Sequence, residues 1–259
     1  MMKILAVVNQ KGGVGKSTLC THLAHAAVEA GKRVLLVDLD PQGNLGVAFP
    51  ATGAHEGEAH TSVALFSPDV ELKPEILAPG LAIIRKDPAL YNLAGTNKEG
   101  AKRPARNLQR LKQDYDLCII DTPGMIGFNP PMTVAGLIAA HAVVCPFQVG
   151  LFEAEPLANL WQYLRGIVTD GLNPRLKVLG LLPSKVNVKS SEELAALEEL
   201  RRQFKSHILP HTLGERAAVK QAIARRKPVW RGVRGAGHKS AAEEWKAATQ
   251  HILSSLGVL

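Results

Sequence analysis

The chain has 259 residues, nearly half of them apolar and few of them aromatic, and it carries a net charge of +8. That length and composition suit one large α/β domain with a sheet core of Val, Ile, Leu and Ala, and they exclude a disordered chain. No apolar run reaches the roughly 18 residues of a membrane span, and the start, Met1-Met2-Lys3-Ile4-Leu5, enters a strand pattern and not a signal peptide, so a cytoplasmic protein without a membrane partner is expected.

The first apolar run, residues 4–8, leads into Asn9-Gln10-Lys11-Gly12-Gly13-Val14-Gly15-Lys16-Ser17-Thr18, and a helical pattern follows over residues 16–30, closed by Gly31. Strand, glycine loop and helix start are the context of a phosphate-binding loop. The segment contains G-x-x-G-K-[ST], with Gln10 where the common pattern begins with glycine and Lys11 as a second lysine. Gly12, Gly13 and Gly15, with Val14 between them, let consecutive N–H groups face phosphates, and the helix opening at Lys16 adds its positive dipole end. Lys16 then neutralises β/γ-phosphate charge, Ser17 offers a hydroxyl to Mg²⁺, and Thr18 reaches the α-phosphate. The expected ligand is ATP with Mg²⁺.

The second run, residues 34–37, ends in Asp38-Leu39-Asp40-Pro41-Gln42-Gly43-Asn44. Residues 50–79 show no sustained period and read as a surface excursion with one short helix. A run at 81–84 and a helical pattern at 103–112 precede the run 117–120, which ends in Asp121-Thr122-Pro123-Gly124. Ligands of open α/β sheets bind at the carboxyl ends of strands, so these acids converge on the phosphates. Asp121 has the position of a carboxylate that holds Mg²⁺, Asp38 supports the Mg²⁺ shell, and Asp40 orients or deprotonates the attacking water. The alternative for each acid is a strand-end or capping role.

Beyond them come helical patterns at 130–140 and 156–167 around a run at 142–147, then a run at 178–182 and helices at 191–205, 214–226 and 241–256. Ser190 and Glu193 have capping-box spacing. Strands alternating with helices, without polar alternation inside the strands, imply a doubly wound, mostly parallel sheet with helices on both faces. No repeat is visible, and residues 1–259 are expected to form one domain with a basic carboxyl-terminal helical region at about 190–259. Cys20, Cys118 and Cys145 lack metal-ligand spacing and are expected in the core.

Between Arg201 and Lys239 the chain carries eleven lysines and arginines against one acid, Glu215. Such a block fits a polyanion partner, since phosphates gain from clustered cations by counterion release, or else a solvated charged face.

The chain resembles the ParA family of deviant Walker A partition ATPases, in the larger group that includes MinD. The resemblance rests on Lys11-Gly12-Gly13-Val14-Gly15-Lys16-Ser17-Thr18, Val37-Asp38-Leu39-Asp40-Pro41-Gln42-Gly43-Asn44 and Ile119-Ile120-Asp121-Thr122-Pro123 at the family's spacings. It implies a P-loop ATPase fold and an ATP-dependent homodimer in which Lys11 reaches the partner subunit's phosphates. Asp38 to Asn44 and Asp121 to Gly127 then correspond to the two switch segments. Leu182-Pro183-Ser184-Lys185-Val186 and Ile208-Leu209-Pro210-His211 fall where the family contacts adenine, with Pro210 as a contact.

The run Ala224-Arg225-Arg226-Lys227-Pro228-Val229-Trp230 is similar to part of the family's surface for non-specific double-stranded DNA. Arg201, Lys220, Arg225, Arg226, Arg231 and Arg234 are the implied contacts. The resemblance further implies a ParB-like partner that stimulates hydrolysis, and a nucleoid-associated location. The same cycle with a protein cluster or carboxysome as cargo is an alternative, and a P-loop ligase is another. The last thirteen residues carry no cations to meet anionic lipid, unlike the basic amphipathic end of MinD. Since the first strand pattern begins within the first five residues, the helix-turn-helix region of the longer operon-repressing relatives is not expected.

Overall fold

The computed structural model describes residues 1–51, 59–93, 96–127, 129–150 and 153–259. In chain order its strands are β1 (Lys3–Val7), β2 (Val34–Asp38), β3 (Glu75–Ala78), β4 (Leu81–Ile84), β5 (Leu117–Asp121), β6 (Ala142–Phe147), β7 (Lys177–Val186) and β8 (Leu213–Gly214). The helices are α1 (Lys16–Glu29), α2 (Asn44–Ala48), α3 (Lys98–Gln109), α4 (Met132–Ala139), α5 (Ala154–Thr169), α6 (Ser191–Phe204), α7 (Ala217–Ala224) and α8 (Ala236–Leu256).

The strands form one sheet in the order β3-β4-β2-β5-β1-β6-β7-β8. Every pairing is parallel except that of β3 with β4. The six apolar runs all became strands because helices cover both faces, so their side chains are buried whichever way they point, save Val178 and Leu179, which are half-buried. Ile4, Ala6, Leu35, Val37, Cys118 and Ile120 face the layer of α3, α4, α5 and α6. Leu5, Val7, Leu36, Ile119 and Val144 face α1 and α8. Each Val, Leu or Ile among them contributes about 1.5–3 kcal/mol by leaving water. All three cysteines are buried and free, as expected.

Three elements were not anticipated. Within residues 50–79 a short 3-10 turn at Ser62–Phe66 matches the expected short helix, but β3 is an edge strand whose alternating half-exposed residues give no apolar run. Residues 52–58 of that segment lie outside the described residues. α2 is only one turn long. β8 (Leu213–Gly214) takes Gly214 from the expected start of α7.

Two helices start earlier than their periodicity suggests. α3 is capped by Asn97, whose Oδ1 accepts the Gly100 N–H at 2.9 Å, ahead of a first turn with no apolar period. In the first turn of α8, His238 Nδ1 accepts the Arg234 N–H at 3.1 Å. The Ser190 cap forms as expected, its Oγ accepting the Glu193 N–H at 3.2 Å.

Register places the site. Val7 pairs with Asp121 and Asp121 with Asp38, so these residues stand in one row across β1, β5 and β2. Alternation turns that row toward α1.

Candidate nucleotide site and basic surface

The loop after β1 is braced from below. Asn9 Nδ2 donates to the Pro146 carbonyl at 2.8 Å, while Asn9 Oδ1 accepts the Lys11 N–H at 2.8 Å. Gly13 and Gly15 have φ of 77° and 98°, where a side chain would be strained, and Gly15 caps α1. Val14 is buried beneath them. A cavity of about 460 Å³ opens over the loop, lined by Gly12, Gly13, Gly15, Lys16, Ser17 and Thr18 on one side and by Asp40, Pro41 and Gln42 on the other.

Gly124, which the motif reading left without a role of its own, packs directly on the glycine loop. A Cβ there would lie 2.9 Å from the Gly12 nitrogen, so the loop after β5 can rest on the glycine loop only without a side chain. Thr122 fixes the same loop by donating from Oγ1 to the Val7 carbonyl at 2.8 Å.

Lys16 is 6% exposed and its Nζ donates to the Lys11 carbonyl at 2.9 Å. Burial lowers its pKa, against the pull of Asp121 and Asp40. Asp121 is fully buried, and burial pushes its pKa up to about 7. Ser17, Lys16 and Cys20 oppose that rise, and Asp40 adds to it. Although Ser17 and Cys20 lie beside the carboxylate, neither of its oxygens completes a hydrogen bond of ordinary geometry with a described residue. Burial, reinforced by Asp121, pushes Asp38 up to about 8.

Asp38 Oδ1 accepts the Asp40 N–H at 3.1 Å, and Asp40 Oδ1 accepts the Gln42 N–H at 3.0 Å. Both acids therefore brace the loop after β2 as well as facing the site. Asp40 lines the cavity, whereas Asp38 and Asp121 sit behind its wall. Three carboxyl groups against one buried lysine leave the pocket short of positive charge. A hydroxyl, a carboxylate with two unsatisfied oxygens and an open cavity suit a small hard cation that keeps water and phosphate oxygens in its shell. Among the described residues no cluster of three or more acids, histidines or cysteines forms a complete metal cage.

The raised carboxyl pKa values carry a sign. Folding holds protons on Asp121 and Asp38 that the unfolded chain has released near pH 4, so their contribution to stability is full below that value and is lost as pH rises through about 7 and 8. His22, held down near 4 by burial, acts oppositely but only below about pH 6.5. The nucleotide-free protein should therefore lose about 1–2 kcal/mol between pH 6.5 and 8, and Asp38→Asn with Asp121→Asn should flatten that slope. Denaturant unfolding across the interval measures it; rising stability would contradict the assignment.

Lys11 is turned back onto its own chain, its Nζ 2.6 Å from Glu153 Oε2. Nothing in the sequence marked Glu153, 142 residues away. Lys185, in left-handed conformation at φ 54°, donates from Nζ to the Gly13 carbonyl and lines both the first cavity and an adjoining one of about 280 Å³. That second cavity is lined by Ser184, Leu213, Gly214, Glu215 and Arg216. Pro210, expected at an adenine contact, is exposed and lines neither cavity, because Leu209 N–H bonds the Leu181 carbonyl and the chain turns outward after it.

The basic residues separate into two kinds. Arg225, Arg226 and Arg234 are exposed, with no charged partner among the described residues, and Lys227 lies beside them. Arg231 is paired with Glu29 at 2.7 Å and Lys220 with Glu215 at 3.0 Å. Arg201 is half-buried and engaged by the fold, donating to the Leu209 carbonyl at 3.1 Å and to Thr212 Oγ1 at 3.2 Å. The exposed cations thus concentrate in the loop joining α7 to α8, and Arg201 braces the chain near β8.

The chain matches the family described as AAA domain over residues 2–178. The chromosome-partitioning ATPase Soj of Thermus thermophilus is 33% identical, over 95% of this chain and 96% of its own. Among solved structures, an ATP complex of McdA from Cyanothece has a TM-score of 0.82 at 21% identity, covering 97% of this chain and 96% of that one. Cobyrinic acid a,c-diamide synthase from Mycobacterium smegmatis, with bound ADP and magnesium, has a TM-score of 0.78 at 23% identity, covering 99% and 96%. Identities this low establish the common fold alone.

Proposed function

Since the chain belongs to the ParA family of partition ATPases, we propose that it binds and hydrolyses Mg-ATP, dimerises around the nucleotide and holds DNA without sequence preference. The observation that carries this reading is the row of acids behind the glycine loop, with both Asp121 oxygens buried and unsatisfied beside Ser17 and Lys16. Binding alone does not call for three carboxyl groups at a phosphate cradle.

In this reading the main chain from Gly12 to Thr18 cradles the phosphates, and Lys16 neutralises the β/γ charge. Ser17 and Asp121 would hold Mg²⁺, with Asp38 supporting its shell, and the bound ion would supply further neutralisation of the phosphate charge. Asp40, on the cavity wall, positions the attacking water and takes up its proton. Lys11 leaves Glu153 to reach the phosphates held by the second subunit. The base takes the second cavity, on residues 213–216 instead of Pro210.

The loop at 225–234 supplies the DNA contacts, with Arg225, Arg226 and Arg234 leading and Lys220 and Arg231 at the margin. Residues 1–259 then act as one ATPase domain with this basic region attached. A ParB-like partner stimulates hydrolysis, and the protein works on the nucleoid in the cytoplasm to move a plasmid or chromosome. Among the described residues no helix is long and apolar enough to cross a membrane.

Retention of non-specific DNA with ATP, but not with ADP or without nucleotide, tests the cycle. Retention that ignores nucleotide, or none at all, would favour a ligase of the same fold. Arg225→Ala with Arg226→Ala should weaken binding to every sequence alike and lower the salt slope by about 2. Arg201→Ala should reduce stability and leave that slope alone. A loss confined to one DNA sequence would reject phosphate contact.

A further inference from the structure

One histidine connects the start of α1 to the basic loop. His22 is fully buried on α1, and its Nε2 accepts the Val229 N–H at 3.2 Å. That nitrogen therefore carries no proton, so Nδ1 is the protonated one and donates to the Thr18 carbonyl at 2.8 Å. Burial, which lowers the ring's pKa to about 4, keeps it neutral, and the two hydrogen bonds fix this tautomer.

On the other side of the same residue, His238 Nε2 lies 2.7 Å from the Val229 carbonyl, and His238 Nδ1 accepts the Arg234 N–H. His238 is thus the opposite tautomer and donates from Nε2. Both polar groups of Val229 are gripped by imidazoles of complementary protonation. The His22 ring also packs against Trp245 at 4.2 Å and Trp230 at 5.5 Å between ring centres. Further along α1, Glu29 accepts from Trp230 Nε1 at 2.8 Å and from Arg231 Nε at 2.7 Å.

We infer that His22 is a positioning residue that couples the nucleotide cavity to the polyanion surface, through Thr18, the Val229 peptide and His238. Thr18 lines both cavities at one end, and the exposed Arg225, Arg226 and Arg234 flank Val229 at the other. A shift at the first turn of α1 reaches the loop through hydrogen bonds whose donors and acceptors are fixed. This inference rests on the ATP-dependent DNA binding proposed above. A second path is available through α7, since Ile223 lines both cavities two residues before Arg225.

The paths separate in His22→Leu, which keeps apolar packing against Trp245 and removes both ring hydrogen bonds. Its ATP affinity, read with a fluorescent analogue, should stay within about threefold, while the ratio of DNA affinity with ATP to that with ADP falls by about tenfold, inside the usual range of coupling energies. His22→Gln, whose amide oxygen can still accept from Val229, should restore part of the ratio. An undiminished ratio in His22→Leu overturns the inference and assigns coupling to α7. A wild-type ratio of one sinks the DNA reading itself, a distinct result.

Should His22→Leu fail to fold, amide exchange at Val229 in the wild-type chain decides. A change of about tenfold on adding Mg-ATP supports the relay, and equal exchange in both states overturns it.

Discussion

Lys16→Ala lowers ATP affinity by about 30-fold to several thousand-fold, the equivalent of the ~2–5 kcal/mol that follows truncation of one partner in a buried charge pair. Three observations set that scale. The ammonium is buried, the charges of Asp121 and Asp40 act on it from inside the site, and its Nζ is held over the loop by the Lys11 carbonyl. Removing it deprives the phosphates of a cation and leaves the acids to repel them. Titration calorimetry with ATP and magnesium measures the loss, and an affinity near that of the wild type would remove Lys16 from the phosphate site.

Asp40→Ala slows turnover by about 100- to 10,000-fold, the span expected of a general base, with ATP bound almost as before. Because Asp40 Oδ1 also holds the Gln42 N–H, loss of activity in the alanine variant alone would be ambiguous. Asp40→Asn resolves it, since the amide oxygen can keep the turn while the charge and basicity go. Both variants should be slow. An active asparagine variant would make Asp40 a turn brace and move the chemistry elsewhere.

Much of this was legible in the chain because it is written locally. A glycine loop is contiguous, so Gly12 to Thr18 announce their geometry within seven residues. Asp38 and Asp121 end apolar runs, and strand ends in a parallel sheet point one way. The sheet was legible for a related reason, since strands buried on both faces read as uninterrupted apolar runs, whereas β3, at the edge, does not.

What sequence could not show is pairing across long separations. Lys11 meets Glu153, Asn9 meets Pro146 and His22 meets Val229 over 142, 137 and 207 residues, and no spacing rule connects them. Charge counts misled in a similar way. Arg201 belongs to the same basic run as Arg225, yet its guanidinium is occupied by Leu209 and Thr212. Gly124 stands in the segment after β5, and nothing local in the sequence says that the glycine loop packs on it.

The single row formed by Val7, Asp38 and Asp121 makes the length of two strands a chemical variable. Inserting or deleting one residue within β2 or β5 would rotate an acid to the layer of α3 and α4 and bring an apolar neighbour, such as Leu39 or Ile120, to face Lys16. Exchanging Leu36 for Ile only adjusts packing. Evolution can therefore trade methyl groups freely in these strands but cannot change their count, and the parity of a five-residue segment decides whether the pocket holds a carboxylate or grease.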